Sequence, residues 1–212
     1  MSTNTITAFE PRKTPVQARS TVTVEAISEA TIQVLLSHGA ERLTTTRVAE
    51  RAGVSVGTLY QYYPNKHSLL AAVLEHHLND VMAKVEAACE SASHKPLAEM
   101  IREVVEAFVD AKMKRVDISI ALYRVSAGVG GPALIKPVGQ RWRKPVEAML
   151  QTATDAESPP DKISIDMMLA AMAGVIRSML EAEPSPATVR KSREHLVLLC
   201  QSYMAAATAK SG

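Results

Sequence analysis

Apolar residues recur at steps of three and four along nearly the whole chain, which is the spacing of one face of an α-helix. The longest such stretch begins at Asn65 and keeps apolar residues on one face as far as Ala88. The alternation of apolar and polar residues that is typical of a half-buried strand is not found. The sequence therefore predicts an all-α fold.

Glycine, proline and polar segments mark where the predicted helices end. Gly39, Gly53 and Pro64 close three helices in the first third of the chain, and the second and third of these are short. The later breaks are SASHKP (91–96), GVGGP (128–132), DAESPPD (155–161) and AEPSP (182–186). Between them we predict helices at about 97–115, 134–153, 163–182 and 186–208, and one rich in β-branched residues after Arg115.

Composition limits the class of protein more than its activity. The chain has 212 residues, of which 47% are hydrophobic and 22% charged, so it is globular and forms one large domain or two small ones. The net charge of +2 comes entirely from residues 1–66, with seven Lys and Arg against five Asp and Glu. This excess favours an acidic partner, but only weakly.

Two features predict a cytoplasmic location without a membrane partner. Cys89 and Cys200 form no CxxC-type pair, which is typical of reduced, buried thiols. No apolar run is expected to reach the roughly 20 residues that span a bilayer, and the polar N-terminus has no signal-peptide core. Residues 1–19 instead predict a flexible basic arm, which either enters a minor groove of DNA or makes no contact.

The stretch from Thr44 to Tyr63 carries the clearest functional signal. Two short helices joined by a turn that contains glycine are typical of a helix-turn-helix, whose second helix enters the major groove of DNA. Here this recognition helix runs from Val56 to Tyr63 and offers little apolar surface for a core. Gly57 within it costs about 0.5–1 kcal/mol relative to alanine, which close approach to a nucleic-acid backbone would explain.

The run TTTRVAERAGVSVGTLYQYYPNKHSLLAAV resembles the DNA-binding domain of the TetR family of bacterial transcriptional regulators. The shared pattern is a Thr-led helix, an Ala-Gly-Val-Ser turn, Gly-Thr-Leu-Tyr, an aromatic pair and a lysine before a long helix. The resemblance implies a three-helix DNA-binding domain at 20–67. It also implies a helical bundle at 68–212 that dimerises and usually binds a small inducer.

The resemblance also assigns roles to individual residues. Thr45 or Thr46, Tyr60 and Lys66 are expected to bind phosphate, and Arg47 to reach a phosphate or a base edge. Ser55 caps the recognition helix beside the DNA backbone, and Leu59 and Tyr63 face inward. The groove-facing residues are expected to be Val56, Gly57, Thr58, Gln61 and Tyr62, and glutamine can pair with adenine in a bidentate way.

Two positions depart from the family pattern. Val56 stands where a basic or polar residue is common, so its contact is either to a thymine methyl or absent. His67 stands where an acidic residue is common, which leaves the N-cap of the long helix to Asn65.

Helix 163–182 is apolar on two stripes, so it must bury two faces. The stripes are Met168, Met172, Val175 and Met179, and Ile165, Leu169, Ile176 and Leu180. A monomer would leave one stripe in water, so we expect a second copy to cover it, although which stripe does so stays open. The predicted dimer interface comprises Ile165, Leu169, Ile176, Leu180, Leu196, Leu199 and Tyr203.

Candidate ligand sites are harder to find in the sequence. Nine of the ten methionines follow residue 81 and form either ordinary core or an adaptable pocket. Our candidates for lining such a pocket are Phe108, Tyr123, Trp142 and Met172. Arg124 is either a counter-charge for an acidic ligand or a solvated side chain. His76 and Asp80 are a weak metal motif that fits a solvated helix face better, so we predict no metal site and no cofactor.

These observations predict a homodimeric, ligand-responsive transcriptional repressor in the bacterial cytoplasm. Its partners would be a palindromic operator in double-stranded DNA and an unidentified small-molecule effector. The alternatives are a helical protein-interaction module, which leaves the polar recognition helix without a use, and a small helical enzyme. The enzyme lacks support, because the sequence has no nucleotide loop, nucleophile elbow or paired acid and base.

Overall fold

The structure is a computed structural model that describes residues 18–126 and 131–209. In these ranges the chain is helical and contains no strand, as predicted. The predicted basic arm, up to residue 17, and most of GVGGP lie outside the described residues. The helices are α1 (Ala18–Arg42), α2 (Thr45–Ala52), α3 (Val56–Tyr62), α4 (Lys66–Ala92), α5 (Leu97–Met113), α6 (Val116–Ser126), α7 (Gly131–Leu150), α8 (Lys162–Ala182) and α9 (Pro186–Thr208).

The described helices fall into two compact units. The first unit holds the residues up to His77 together with those between Ile120 and Ile135, and the second holds Leu78–Ser119 and the residues from Lys136 onward. Helices α4, α6 and α7 therefore contribute to both units. The predicted domain boundary after residue 67 falls in the first turn of α4 and stays a prediction.

The short helices of the first unit begin and end at the residues that the sequence indicates. Gly53 ends α2 in the left-handed region (φ 68°, ψ 28°), where its N–H donates to the carbonyls of Ala49 and Glu50. Ser55 caps α3 by accepting a hydrogen bond from the N–H of Thr58 at 2.9 Å. Gly39, predicted to end α1, leaves helical geometry at φ 75° and ψ 169°, and helical residues resume as far as Arg42.

The core of the first unit confirms the inward-facing residues of the recognition helix. Leu59 is completely buried and Tyr63 is 4% exposed. Burial raises the pKa of the Tyr63 phenol, and the neighbouring Tyr62 raises it further. Asn65 caps α4 as predicted, because its Oδ1 accepts from the N–H of Ser68 at 2.9 Å, while the Asn65 N–H donates to Ser68 Oγ at 3.3 Å.

The second unit packs α5 against α9 and α8. Polar contacts tie α9 to α5 at two points: Arg193 pairs with Asp110, and the Gln201 amide donates to the Ala98 carbonyl at 2.7 Å. Cys89 and Cys200 are buried, as predicted. Burial raises the pKa of the Cys89 thiol to about 12 and that of Cys200 to about 11, so both stay protonated near neutral pH.

Helix α8 corrects the sequence analysis in two ways. By length and composition it is the one described helix that could cross a membrane, so the expectation that no apolar run reaches that length is wrong. The core helix of a soluble protein has the same character, and α8 packs against α9 within the second unit.

The second correction concerns the predicted dimer interface. Both apolar stripes of α8 are largely buried within the single chain, because neighbouring helices cover a face wide enough to include both. Ile165, Ile176 and Leu180 are at most 5% exposed, and Leu196 of α9 is 2% exposed. The premise that one stripe is left in water is therefore wrong for the three residues of α8, and Leu196 is buried within the single chain as well. Leu169 is partly buried, and Leu199 and Tyr203 are exposed.

Candidate nucleic-acid interface

The predicted DNA-contacting residues gather on the surface formed by α2, α3 and the start of α4. The exposed ones are Thr46, Arg47, Ser55, Gly57, Tyr60 and Gln61. The partly buried ones are Thr45, Val56, Thr58, Tyr62 and Lys66. A surface this rich in hydroxyl, amide and cationic groups is suited to a partner that offers hydrogen-bond acceptors.

Two predicted phosphate ligands meet at the N-terminus of α2. The hydroxyls of Thr45 and Tyr60, 15 residues apart in sequence, lie 3.1 Å from each other. Thr45 is the first residue of α2, where free backbone N–H groups and the helix dipole favour an anion. The Tyr60 ring is 42% exposed, so this hydroxyl pair faces solvent and can donate to a phosphate oxygen.

Thr44, the first of three successive threonines, is the N-cap residue of α2. Its side chain caps α2 by accepting from the N–H of Arg47 at 3.3 Å. Three successive threonines could each have served as the cap, and only the helix start decides among them. Because Thr44 takes this role, Thr45 and Thr46 do not need their hydroxyls for capping. The Arg47 guanidinium donates to the Arg42 carbonyl at 2.6 Å, which holds it beside the same helix start.

Gly57 lies at the leading edge of α3 with space around it. A Cβ added there would have Ser55 Oγ as its nearest neighbour at 3.7 Å, which is ordinary van der Waals contact. Neither packing nor backbone conformation therefore requires glycine at this position in the free protein. The missing side chain would matter to a partner that approaches the helix closely.

Gln61 and Tyr62 differ in how firmly the protein holds them. In the described part of the chain no hydrogen bond engages the exposed Gln61 amide, so it is available to a base edge. The Tyr62 hydroxyl lies 3.2 Å from Ser20 Oγ, which links the recognition helix to the start of α1. Base contact by either residue stays a prediction.

Lys66 begins α4 with its ammonium 3.5 Å from the Ala40 carbonyl oxygen. A hydrogen bond of this length is weak. A phosphate could therefore replace the carbonyl at little cost.

The residues predicted to line a ligand pocket are only partly brought together. Phe108 and Trp142 form an edge-to-face pair in the second unit, with ring centroids 4.3 Å apart. Met172 is fully buried on α8, whereas Tyr123 belongs to the first unit. Among the described residues, no three His, Cys, Asp or Glu side chains come together as a metal site would require.

Two family models match the chain. Residues 27–73 match the model described as "Bacterial regulatory proteins, tetR family", and residues 96–204 match "Tetracyclin repressor-like, C-terminal domain". The second match alone covers more than half of the chain.

Similar proteins include a transcriptional repressor and a nucleoid occlusion factor. The HTH-type transcriptional repressor KstR of Mycolicibacterium smegmatis is 40% identical over 62 residues, which are 29% of this chain and 30% of that protein. The nucleoid occlusion factor SlmA of Haemophilus influenzae is 27% identical over 105 residues, or 48% of this chain and 47% of that protein. The chain therefore spans about half or less of these curated relatives.

The fold is shared over a longer range. A solved bacterial regulatory protein of the tetR family from Rhodococcus RHA1 superimposes with a TM-score of 0.66 at 19% identity. The match covers 89% of this chain and 98% of that one. At this identity the likeness concerns the fold alone.

Proposed function

The chain belongs to the TetR family of transcriptional regulators, and we propose that it acts as a homodimeric repressor that binds a palindromic operator and releases it when a small effector binds. The observation that carries DNA binding is the hydroxyl pair of Thr45 and Tyr60 at the start of α2. It lies on the same surface as Gly57 and Gln61, so one surface offers phosphate ligands and a polar recognition helix together. We place the protein in the bacterial cytoplasm, where such an operator would be found.

Exposed apolar side chains on α8 and α9 support the homodimer. They are Ile163, Met167, Leu198, Leu199 and Tyr203, with exposed fractions from 38% to 71%. We call these five residues the outer apolar set. Monomeric proteins rarely expose so many large apolar side chains on two neighbouring helices, and a second copy would cover them.

The proposed mechanism couples this dimer to DNA. A twofold axis would present two recognition helices to successive major grooves, about 34–36 Å apart. An effector bound in the C-terminal bundle would favour a dimer with a different separation of the two recognition helices. To matter, it must prefer that state by a few kcal/mol.

The test begins with selection of bound DNA from a random pool, followed by affinity measurements on the selected site. We expect Tyr60→Phe and Thr45→Val each to weaken binding by about 10–100-fold, because each removes a hydrogen bond to a charged group. The affinity of the double variant should fall by less than the product of the two single-variant losses, because both hydroxyls would bind one phosphate.

Thr188→Val is the matched control. The Thr188 hydroxyl lies 2.9 Å from Ser185 Oγ at the start of α9. The substitution therefore removes a similar hydrogen bond from a helix start that is far along the chain. Binding by this variant should equal that of the wild type. If Tyr60→Phe and Thr45→Val bind as well as the control does, the hydroxyl pair is not a phosphate site.

A further inference from the structure

The Trp142 indole N–H is a buried donor that lacks an acceptor. The residue is 8% exposed, and its Nε1 has no hydrogen-bond partner among the residues that the structure describes. Buried indole N–H groups usually find a partner, because leaving one unpaired costs free energy. A site that supplies the missing acceptor only when a ligand is bound would explain this arrangement.

Phe108 contacts Trp142 and lies one helical turn from a second donor, Lys112. Its ring contacts Trp142 edge-to-face, with 4.3 Å between ring centroids. Lys112 follows Phe108 by four residues on α5, so the two side chains share a helix face with Cβ atoms about 5–6 Å apart. Phe108, Lys112 and Trp142 all belong to the second unit.

The Lys112 ammonium is a second donor for which the described part of the chain shows no acceptor. It is partly buried, and among the described residues no carboxylate or carbonyl accepts a hydrogen bond from it. Burial lowers its pKa to about 8, because the charged form is poorly solvated.

The acids nearest to Lys112 in sequence are already engaged by other cations. Asp110 pairs with Arg193, and Asp117 with Arg115 at 3.4 Å. One turn further back, Glu106 lies 3.7 Å from Arg102. No carboxylate on these stretches is therefore left to neutralise Lys112.

We propose that this part of the second unit binds a small organic carboxylate with an apolar body. The carboxylate would accept from Lys112 and from the Trp142 N–H, and the apolar body would lie against the Phe108 ring. Two donors without an acceptor beside an aromatic pair match a ligand that brings an anionic head and an apolar body. The proposal rests on the proposed function, since it names the class of effector for the C-terminal bundle.

Trp142 is the single tryptophan of the chain, so its fluorescence reports directly on this site. The experiment titrates the full-length protein with butyrate, octanoate and 4-phenylbutyrate, and with the primary amide of each. The amides keep the apolar body and lose the charge. We expect at least one carboxylate to change Trp142 emission and to bind at least about tenfold more tightly than its amide.

Variants of Lys112 test the anionic head. Lys112→Met should weaken carboxylate binding by about 10–100-fold and leave amide binding unchanged, while Lys112→Arg should retain carboxylate binding. Lys114→Met is the matched control, because Lys114 is exposed at the end of the same helix and should have no effect. Calorimetry with Trp142→Phe, which keeps the ring but loses the donor, should show weaker carboxylate binding.

The proposal is overturned if no carboxylate binds better than its amide, or if Lys112→Met and Lys112→Arg bind carboxylates equally well. Operator affinity without any ligand is measured in parallel. Operator binding that amides relieve but carboxylates do not would refute the ligand class and leave the ligand-responsive repressor standing. Carboxylate binding without any operator binding would refute the repressor and leave the site standing.

Discussion

The surface of α2 and α3 and the outer apolar set of α8 and α9 differ in the chemistry of their side chains. The first consists of hydroxyl, amide and cationic side chains around Gly57, arranged by caps at Thr44 and Ser55. The second consists of large aliphatic side chains, such as Ile163 and Met167, with exposed fractions of 71% and 57%. One suits a charged, hydrogen-bonding partner, and the other suits an apolar partner.

This difference explains why the sequence indicates candidate contact residues in the first region, whereas it wrongly predicted that one stripe of α8 is left in water. A polar site needs particular residue types at particular positions, so its pattern can be recognised in the sequence. An apolar helix face needs only bulk, and α8 carries apolar residues nearly all round. Which of them face inward depends on where α5 and α9 lie against it.

The largest expected effects come from glutamate substitutions on the buried and the exposed side of α8. Ile176→Glu would bury a carboxylate without a partner at a position that is 3% exposed, and we expect it to destabilise the fold by roughly 3–5 kcal/mol. Met167→Glu should keep its helical circular dichroism but become monomeric by light scattering and lose operator binding.

Lys84→Glu provides the control, because it reverses the charge of an exposed residue on α4 of the same unit. It should remain folded and dimeric. A folded Ile176→Glu dimer, or a Met167→Glu dimer of wild-type affinity, would show that the two sides of α8 have been assigned the wrong way round.

The next effect concerns base reading by the polar surface. Gln61→Ala should lose about 1–3 kcal/mol at one base pair of each half-site and relax the preference there, because the amide would no longer pair with adenine. Affinities for a panel of single-base operator variants measure this. If binding to every sequence weakens equally, Gln61 positions the recognition helix and does not recognise a base.

Gly57→Ala tests whether the glycine serves the partner rather than the fold. The free protein has room for the methyl group, so we expect the free energy of unfolding to rise by about 0.5–1 kcal/mol. Operator affinity should fall, because the methyl group would meet the DNA. Denaturant unfolding measures the free energy of unfolding, and DNA titration of the same preparation measures operator affinity. Unchanged affinity would mean that DNA does not approach Gly57.

The smallest effect is electrostatic. Log affinity should fall linearly with log salt, and Lys66→Ala should reduce the slope by about 0.9, the contribution of one neutralised phosphate. Sequence preference should stay the same, because a phosphate contact carries no base information. A slope equal to that of the wild type would remove Lys66 from the phosphate ligands.

The sequence alone determined the helical fold, the positions of most helix ends and the residues that turn inward in the recognition helix. These features depend on local chemistry. Gly53 reaches a left-handed backbone without strain, Ser55 and Asn65 satisfy free N–H groups, and the family resemblance assigns Leu59 to the buried side. Such signals are complete within a few residues, so no distant contact is needed to recognise them.

Tertiary structure alone decided which hydroxyls meet, which side of α8 is buried and which donors lack acceptors among the described residues. Thr45 and Tyr60 are 15 residues apart and come within hydrogen-bonding distance only through the packing of α2 and α3. Trp142 and Phe108 likewise meet only when α7 lies beside α5. The physical reason is that burial and hydrogen-bond satisfaction are properties of pairs of elements, and a single helix does not contain that information.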